Sequence, residues 1–129
     1  MVGIVIVSHS ENLAKSVVEL TAIMAANAKI VPAGGMDDGG FGTSYEKIYA
    51  AIDEVYSDDG VIVLMDMGSA VMTTEMVIEA LETEGKDRVS MVDCPLVEGA
   101  VVATIDAVGG MGFEDILVAL SKVADTPKF

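Results

Sequence analysis

Two stretches of the chain are apolar without interruption, residues 3–7 and residues 61–65, and each stops at a side chain able to do chemistry: the first runs through Ser8 to His9, the second into Asp66. Neither run alternates polar with apolar residues, so both read as strands buried on both faces of a parallel sheet. Two further segments, 29–33 and 88–92, mostly apolar but containing Lys29, Arg88 and Ser90, supply two more strands, and Pro32 in the first of them favours a sheet edge or strand end.

Between these runs the apolar period changes from continuous to helical. Ser8 and Glu11 have capping-box spacing, and Leu13, Val17, Leu20 and Met24 then recur at helical intervals to about Asn27. Thr43 and Glu46 repeat that spacing ahead of a stripe formed by Tyr45, Ile48, Ile52 and Val55. A third helix follows Ser69 and runs to about Glu84, with Gly85 as its stop. Residues 100–108 read as a buried helix of small residues, the glycines of 109–112 break it, and Phe113, Ile116, Leu117 and Leu120 mark a last helix before a tail that frays from Asp125.

Strand and helix alternate four times, which predicts one three-layer α/β/α domain over residues 1–124, built on a mainly parallel four-stranded sheet, with 125–129 as a tail. In such sheets ligands sit beyond the carboxyl ends of the strands. That rule gathers four segments at one rim: His9; the glycine-rich stretch 34–44; Asp66 to Ser69; and Pro95 to Gly99. The fourth helix is more apolar than cover for a small sheet requires, so it is also expected to meet a second copy of the chain.

Charge narrows the partners. Of 129 residues 21 are acidic and 7 basic, a formal charge of -14, which repels nucleic acid and anionic bilayers and suits a protein partner with a basic docking face. One cysteine, Cys94, cannot form an internal disulfide, and no stretch approaches the length of a spanning helix. The expected location is cytoplasmic, with no membrane and no nucleic acid among the partners.

The rim is rich in glycine and small hydroxyl residues, whose backbone N–H groups suit a phosphoryl group. No nucleotide fingerprint accompanies it: the stretch from Gly39 to Ser44 lacks a P-loop lysine, and no glycine-rich dinucleotide motif follows the first strand. A phosphate-friendly rim without a nucleotide cradle, centred on the sole histidine, points to a phosphoryl group carried covalently on His9. Asp66, on the neighbouring strand, is expected to hold the proton of one ring nitrogen and leave the other free to attack. Gly68, Ser69 and Thr43 are expected to meet the phosphoryl oxygens. Asp37 and Asp38 read as a solvated turn rather than a metal site, Cys94 as packing, and no cofactor is expected. An aspartate ending strand three is also the mark of response-regulator receivers, but their acidic residues after strand one and their late lysine are missing.

Taken together, V-S-H-S at 7–10, Ala33 to Gly35, Gly42 to Ser44, D-M-G-S-A at 66–70 and P-L-V-E-G-A at 95–100 resemble the DhaM family, the phosphotransfer subunits of phosphotransferase-system-dependent dihydroxyacetone kinases, which have the mannose-class enzyme IIA fold. The resemblance implies a homodimer that takes phosphate from HPr on His9 and passes it to ADP bound on DhaL, whose ATP serves dihydroxyacetone held by DhaK. It implies Asp66 as the partner of His9, with Gly35, Thr43, Gly68 and Ser69 lining the phosphate site and Val97 and Glu98 at the partner-docking edge. Met67 stands where leucine is common, a swap that conserves volume. Longer members carry appended HPr-like and enzyme I-like domains, for which 129 residues leave no room, so a separate HPr is implied. Residues 113–124 read as helix, not as the extra strand that mannose-class relatives exchange between subunits. The alternative within the same chemistry is the enzyme IIA component of a mannose-type sugar transporter.

Overall fold

In the computed structural model, which describes residues 1–129, the two uninterrupted apolar runs lie side by side at the centre of one sheet. They form β1 (Gly3–Ser8) and β3 (Val61–Met65); β2 (Ile30–Gly34) flanks β1 and β4 (Val89–Met91) flanks β3, giving the order β2-β1-β3-β4. All three pairings are parallel. Pro32 accordingly lies on an edge strand, where its missing N–H costs no sheet bond on the open side.

Five helices connect and cover the strands: α1 (Glu11–Ala22), α2 (Tyr45–Val55), α3 (Ser69–Thr83), α4 (Leu96–Val108) and α5 (Phe113–Ser121). Strand side chains alternate between two cores, so Ile4, Ile6, Ile62 and Leu64 pack with α1, α4 and α5, while Val5, Val7, Val61 and Val63 pack with α2 and α3. All eight are fully buried, which is why polar residues are absent from both runs.

Helix starts differ from the sequence expectation for one local reason. The cap of α1 is Ser10, whose Oγ accepts the Leu13 N–H at 3.2 Å, and not Ser8, which ends β1 with its side chain buried. Likewise Ser44, not Thr43, caps α2 through the Lys47 N–H at 3.2 Å. In both cases two hydroxyl residues sit close together, and only the one already turned out of the preceding segment can reach the helix N–H groups. Helix α1 ends at Ala22 rather than near Asn27, and turns over 23–28 carry the chain to β2.

Helix α4 begins at Leu96, four residues before the expected start, because Pro95 fits immediately ahead of a first turn and Gly99 lies inside the helix. A Cβ on Gly99 would come within 2.5 Å of the Cys94 Sγ, so the small residues that suggested a later start serve close packing against the β4–α4 connection. The terminal residues, expected to fray, carry a short 3-10 turn at Val123–Asp125 and an ion pair between Lys128 Nζ and Glu98 at 2.8 Å.

Gly34 ends β2 under the first turn of α1. A Cβ there would lie 2.5 Å from the Ser10 carbonyl oxygen and 2.7 Å from the Ala14 Cβ, both part of the helix that follows His9. Gly34→Ala is therefore expected to destabilise the chain by about 2 kcal/mol, read as a lowered urea midpoint with an unchanged slope.

Candidate functional site

The parallel register puts the ends of β1 and β3 level. Val7 pairs with Met65, so the next residues, Ser8–His9 on one strand and Asp66 on the other, emerge together at the carboxyl edge. The Asp66 N–H is still bonded to the Val7 carbonyl at 3.2 Å, which fixes the carboxylate beside His9.

Four donors converge on that carboxylate. Oδ1 accepts from the His9 ring Nδ1 at 3.0 Å and from the Met67 N–H at 2.7 Å, and Oδ2 accepts from the Ser8 hydroxyl at 2.8 Å and the His9 N–H at 3.0 Å. Burial pushes the Asp66 carboxyl up, but the hydrogen bonds from His9, Ser8 and the backbone N–H groups of His9 and Met67 outweigh it and hold the group below its ordinary value. An ionised carboxylate can only accept, so in the neutral ring Nδ1 carries the proton and the lone pair is left on Nε2.

That lone pair faces the opening of the site. Ser69 Oγ lies 2.6 Å from Nε2 and donates to it, and the side chain of His9 is 20% exposed. Ser69 opens α3, and the N–H groups of Gly68 and Ser69 carry no protein acceptor. Apart from its chain neighbours, no atom lies within 4 Å of where a Cβ on Gly68 would stand, so this helix start borders open space. Unbonded N–H groups at a helix start, beside open space, suit an anion.

The glycine-rich segment closes the other side through its backbone. Gly35, at φ +72, donates its N–H to the Ser8 carbonyl at 3.1 Å, and Gly42, at φ +138, donates to the His9 carbonyl at 2.8 Å. Both φ values are ones that favour glycine. Asp37 accepts from the Ser44 hydroxyl at 2.8 Å and Asp38 from the Gly40 N–H at 2.8 Å, the turn expected from the sequence.

Of the residues singled out from the sequence, the structure brings together His9, Asp66, Gly68 and Ser69, with Gly35 holding the chain behind them. The Thr43 hydroxyl instead meets Thr73 on α3 at 3.2 Å, a link between the glycine-rich segment and the third helix. Val97 and Glu98 lie on the first turn of α4, hydrogen-bonded to neither His9 nor Asp66, with Glu98 engaged by Lys128. Cys94 packs half-buried, and burial, reinforced by Asp93, raises its thiol to about 11, which removes it as a nucleophile near neutral pH. Sequence reasoning missed the part Ser8 plays in this site and did not single out Gly42 within the glycine-rich stretch it placed there.

The family model described as the fructose IIA component of the phosphotransferase system (EIIA-man) matches residues 3–117. The chain belongs to the EIIA-man family. Within it, the chain is 32% identical to the phosphoryl donor subunit DhaM of PEP-dependent dihydroxyacetone kinase 2 from Listeria innocua, covering 95% of this chain and 99% of that one. It is 35% identical to the DhaM phosphotransferase subunit of Lactococcus lactis, over 94% of both chains. The DhaM of Escherichia coli is 40% identical over 91% of this chain, but the chain spans only 26% of that longer protein. Among solved structures, a protein of unknown function superposes with a TM-score of 0.83 at 32% identity, over 99% of this chain and 98% of its own. A phosphotransferase component EIIA from Streptococcus agalactiae shares the fold with a TM-score of 0.64 at 18% identity, over 94% and 92% of the two chains. These likenesses agree with the α/β architecture read from the sequence, with its sheet parallel throughout. No helix is long and apolar enough to cross a membrane.

Proposed function

We propose that this chain is the phosphoryl carrier of a dihydroxyacetone kinase system, accepting phosphate from HPr on His9 and delivering it to ADP bound on DhaL, whose ATP phosphorylates dihydroxyacetone on DhaK. The single observation that carries the reading is the imidazole fixed between the Asp66 carboxylate, 3.0 Å from Nδ1, and the Ser69 hydroxyl, 2.6 Å from Nε2. Names borne by the Listeria and Lactococcus relatives supply the substrate system.

The chemistry balances over two displacements. In the first, the Nε2 lone pair attacks the phosphorus carried by the donor, the donor's bond to phosphorus breaks, and its electron pair leaves with the donor. The Nδ1 proton stays on His9, held by Asp66, so the phosphorylated ring keeps its orientation. In the second, an ADP β-phosphate oxygen attacks the same phosphorus and the N–P electron pair returns to Nε2, giving ATP. Ser69 must turn from Nε2 as the phosphoryl group enters, and it can then donate to a phosphoryl oxygen together with the N–H groups of Gly68 and Ser69. Gly35 and Thr43 act behind this shell by fixing the glycine-rich segment.

The acidic surface suits basic docking faces on both partners, and Val97 and Glu98 lie at the edge those partners cover. The cytoplasm, where the small phosphocarrier and nucleotide are found, is the matching location. The test is to phosphorylate the chain with phosphoenolpyruvate, enzyme I and HPr, then add DhaL with ADP. ATP is expected to form. Phosphorylation of a sugar-transporter subunit with no ATP formed would overturn the reading in favour of the mannose-type alternative.

A homodimer completes the proposal. Helix α4 has only Glu98 and Asp106 as charged residues, while Ile105 and Val108, beyond its first turn, are 39–44% exposed. On α1, helical spacing puts Leu13 and Leu20 on the flank toward α4, opposite Glu11 and Lys15, and both are exposed, as is Met24 in the turn that follows the helix. In a chain of charge -14, this uncharged band is where a second copy can approach without repulsion. Ile105→Glu is expected to turn a sedimenting dimer into a monomer; a dimer that persists would remove this face as the interface.

A further inference from the structure

We propose that Ser8 is a positioning residue for phosphoryl transfer, acting on the His9 ring through Asp66. Ser8 is the last residue of β1 and has no exposed surface. Its Oγ accepts the Ser10 N–H at 3.0 Å and lies 2.8 Å from Asp66 Oδ2. A hydroxyl has one proton, and Ser10 is a donor, so that proton goes to the carboxylate. The polarity of the chain of hydrogen bonds is thereby set: Ser10 N–H to Ser8 oxygen, Ser8 O–H to Oδ2, and across the carboxylate from Nδ1–H to Oδ1.

The effect is to fix the carboxylate at both ends. Apart from the ring itself, Ser8 is the only side chain that donates to Asp66; the other two donors are the backbone N–H groups of His9 and Met67. The backbone of Ser8 is pinned as well, since its carbonyl accepts the Gly35 N–H at 3.1 Å. Alanine at this position would leave the Ser10 N–H without its partner and Oδ2 with one donor, the His9 N–H. A carboxylate free to tilt about the two remaining backbone donors holds Nδ1–H less strictly, and the tautomer with its proton on Nε2 has no lone pair there with which to attack phosphorus. Serine here matters for the hydroxyl, since packing alone at a fully enclosed strand end would be met by alanine.

The inference rests on the proposed carrier role for its kinetic readout only; its spectroscopic readout stands without it. Nitrogen NMR of the His9 ring in the intact chain is expected to show the Nδ1–H tautomer alone, and Ser8→Ala is expected to show both tautomers while the fold persists by circular dichroism. Transfer from phosphorylated HPr to Ser8→Ala is expected to be roughly 10- to 100-fold slower, the range for losing a hydrogen bond to a charged group. An unchanged tautomer in folded Ser8→Ala overturns the proposal, even where the melting temperature or the rate has dropped. Should Ser8→Ala fail to fold, the hydroxyl proton of Ser8 in the parent chain decides: slow exchange with solvent, lost in Asp66→Asn, supports the assignment, and a freely exchanging proton overturns it. A parent chain with the expected tautomer that takes up no phosphate would remove the carrier reading and leave Ser8 in place.

Discussion

A chain with glutamine at position 9 is expected to take up no phosphate from phosphorylated HPr, a fall of roughly a millionfold or more, as for loss of an enzyme's nucleophile. The structure offers no substitute. His9 is the sole histidine, the Cys94 thiol is held protonated and packed against Gly99, and the Ser69 hydroxyl has no base near it other than His9 itself. The same variant is expected to fold. Asp66 keeps three of its four donors, from Ser8, the backbone of residue 9 and Met67, and the glutamine amide can reach toward the place of Nδ1–H. Circular dichroism and the melting temperature separate this outcome from simple unfolding. Transfer at the parent rate by a folded His9→Gln chain would mean that phosphate is carried elsewhere.

Asp66→Asn is the second large effect, with transfer expected to drop by roughly 10³- to 10⁴-fold, the scale seen when an orienting aspartate becomes an amide. Four donors point at this side chain, and an asparagine has one oxygen to accept them; its NH2 would face N–H or O–H groups already committed as donors. The ring is then free to move its proton to Nε2. Stability responds as well, and its sign with pH follows from the lowered carboxyl. Because the native value lies below the unfolded one, Asp66 stabilises the fold above the ordinary carboxylate range, about pH 4, and that contribution disappears as pH falls through the lowered native value. Denaturant titrations of parent and Asp66→Asn are therefore expected to differ most at neutral pH and to converge in acid. A constant difference across that range would contradict the assignment of an ionised, hydrogen-bonded carboxylate.

The central geometry was legible in the sequence because it depends on strand ends. Two fully apolar runs had to be neighbouring buried strands, and the residues that end them, His9 and Asp66, had to share an edge. Glycine clusters identified the segment whose backbone supports the site, and Gly35 and Gly42 indeed occupy positive φ. Less visible was which of several adjacent hydroxyls does what. Ser8 and Ser10 are chemically alike and two residues apart, so capping-box spacing could not tell the cap from the residue facing inward; strand register makes the choice. Thr43 and Ser44 pose the same problem without a preceding strand to settle it: Thr43 is bonded to Thr73, and Ser44 is the cap. The start of α4 was obscured because Gly99 reads as the end of a loop and Ala100 as the beginning of a small-residue helix, whereas their size serves contact with Cys94 and the core. The pair between Glu98 and Lys128 joins residues far apart in the chain, and no local pattern signals it.

The most direct measurement is the location of the phosphate itself, by phosphorus and nitrogen NMR on the chain phosphorylated through HPr, together with peptide mapping. One acid-labile phosphoryl group is expected, bonded to Nε2 of His9, with Nδ1 still protonated toward Asp66. Phosphate on Nδ1, or an acid-stable phosphate on a serine or threonine, would contradict a site in which Asp66 occupies one ring nitrogen and the other faces the opening.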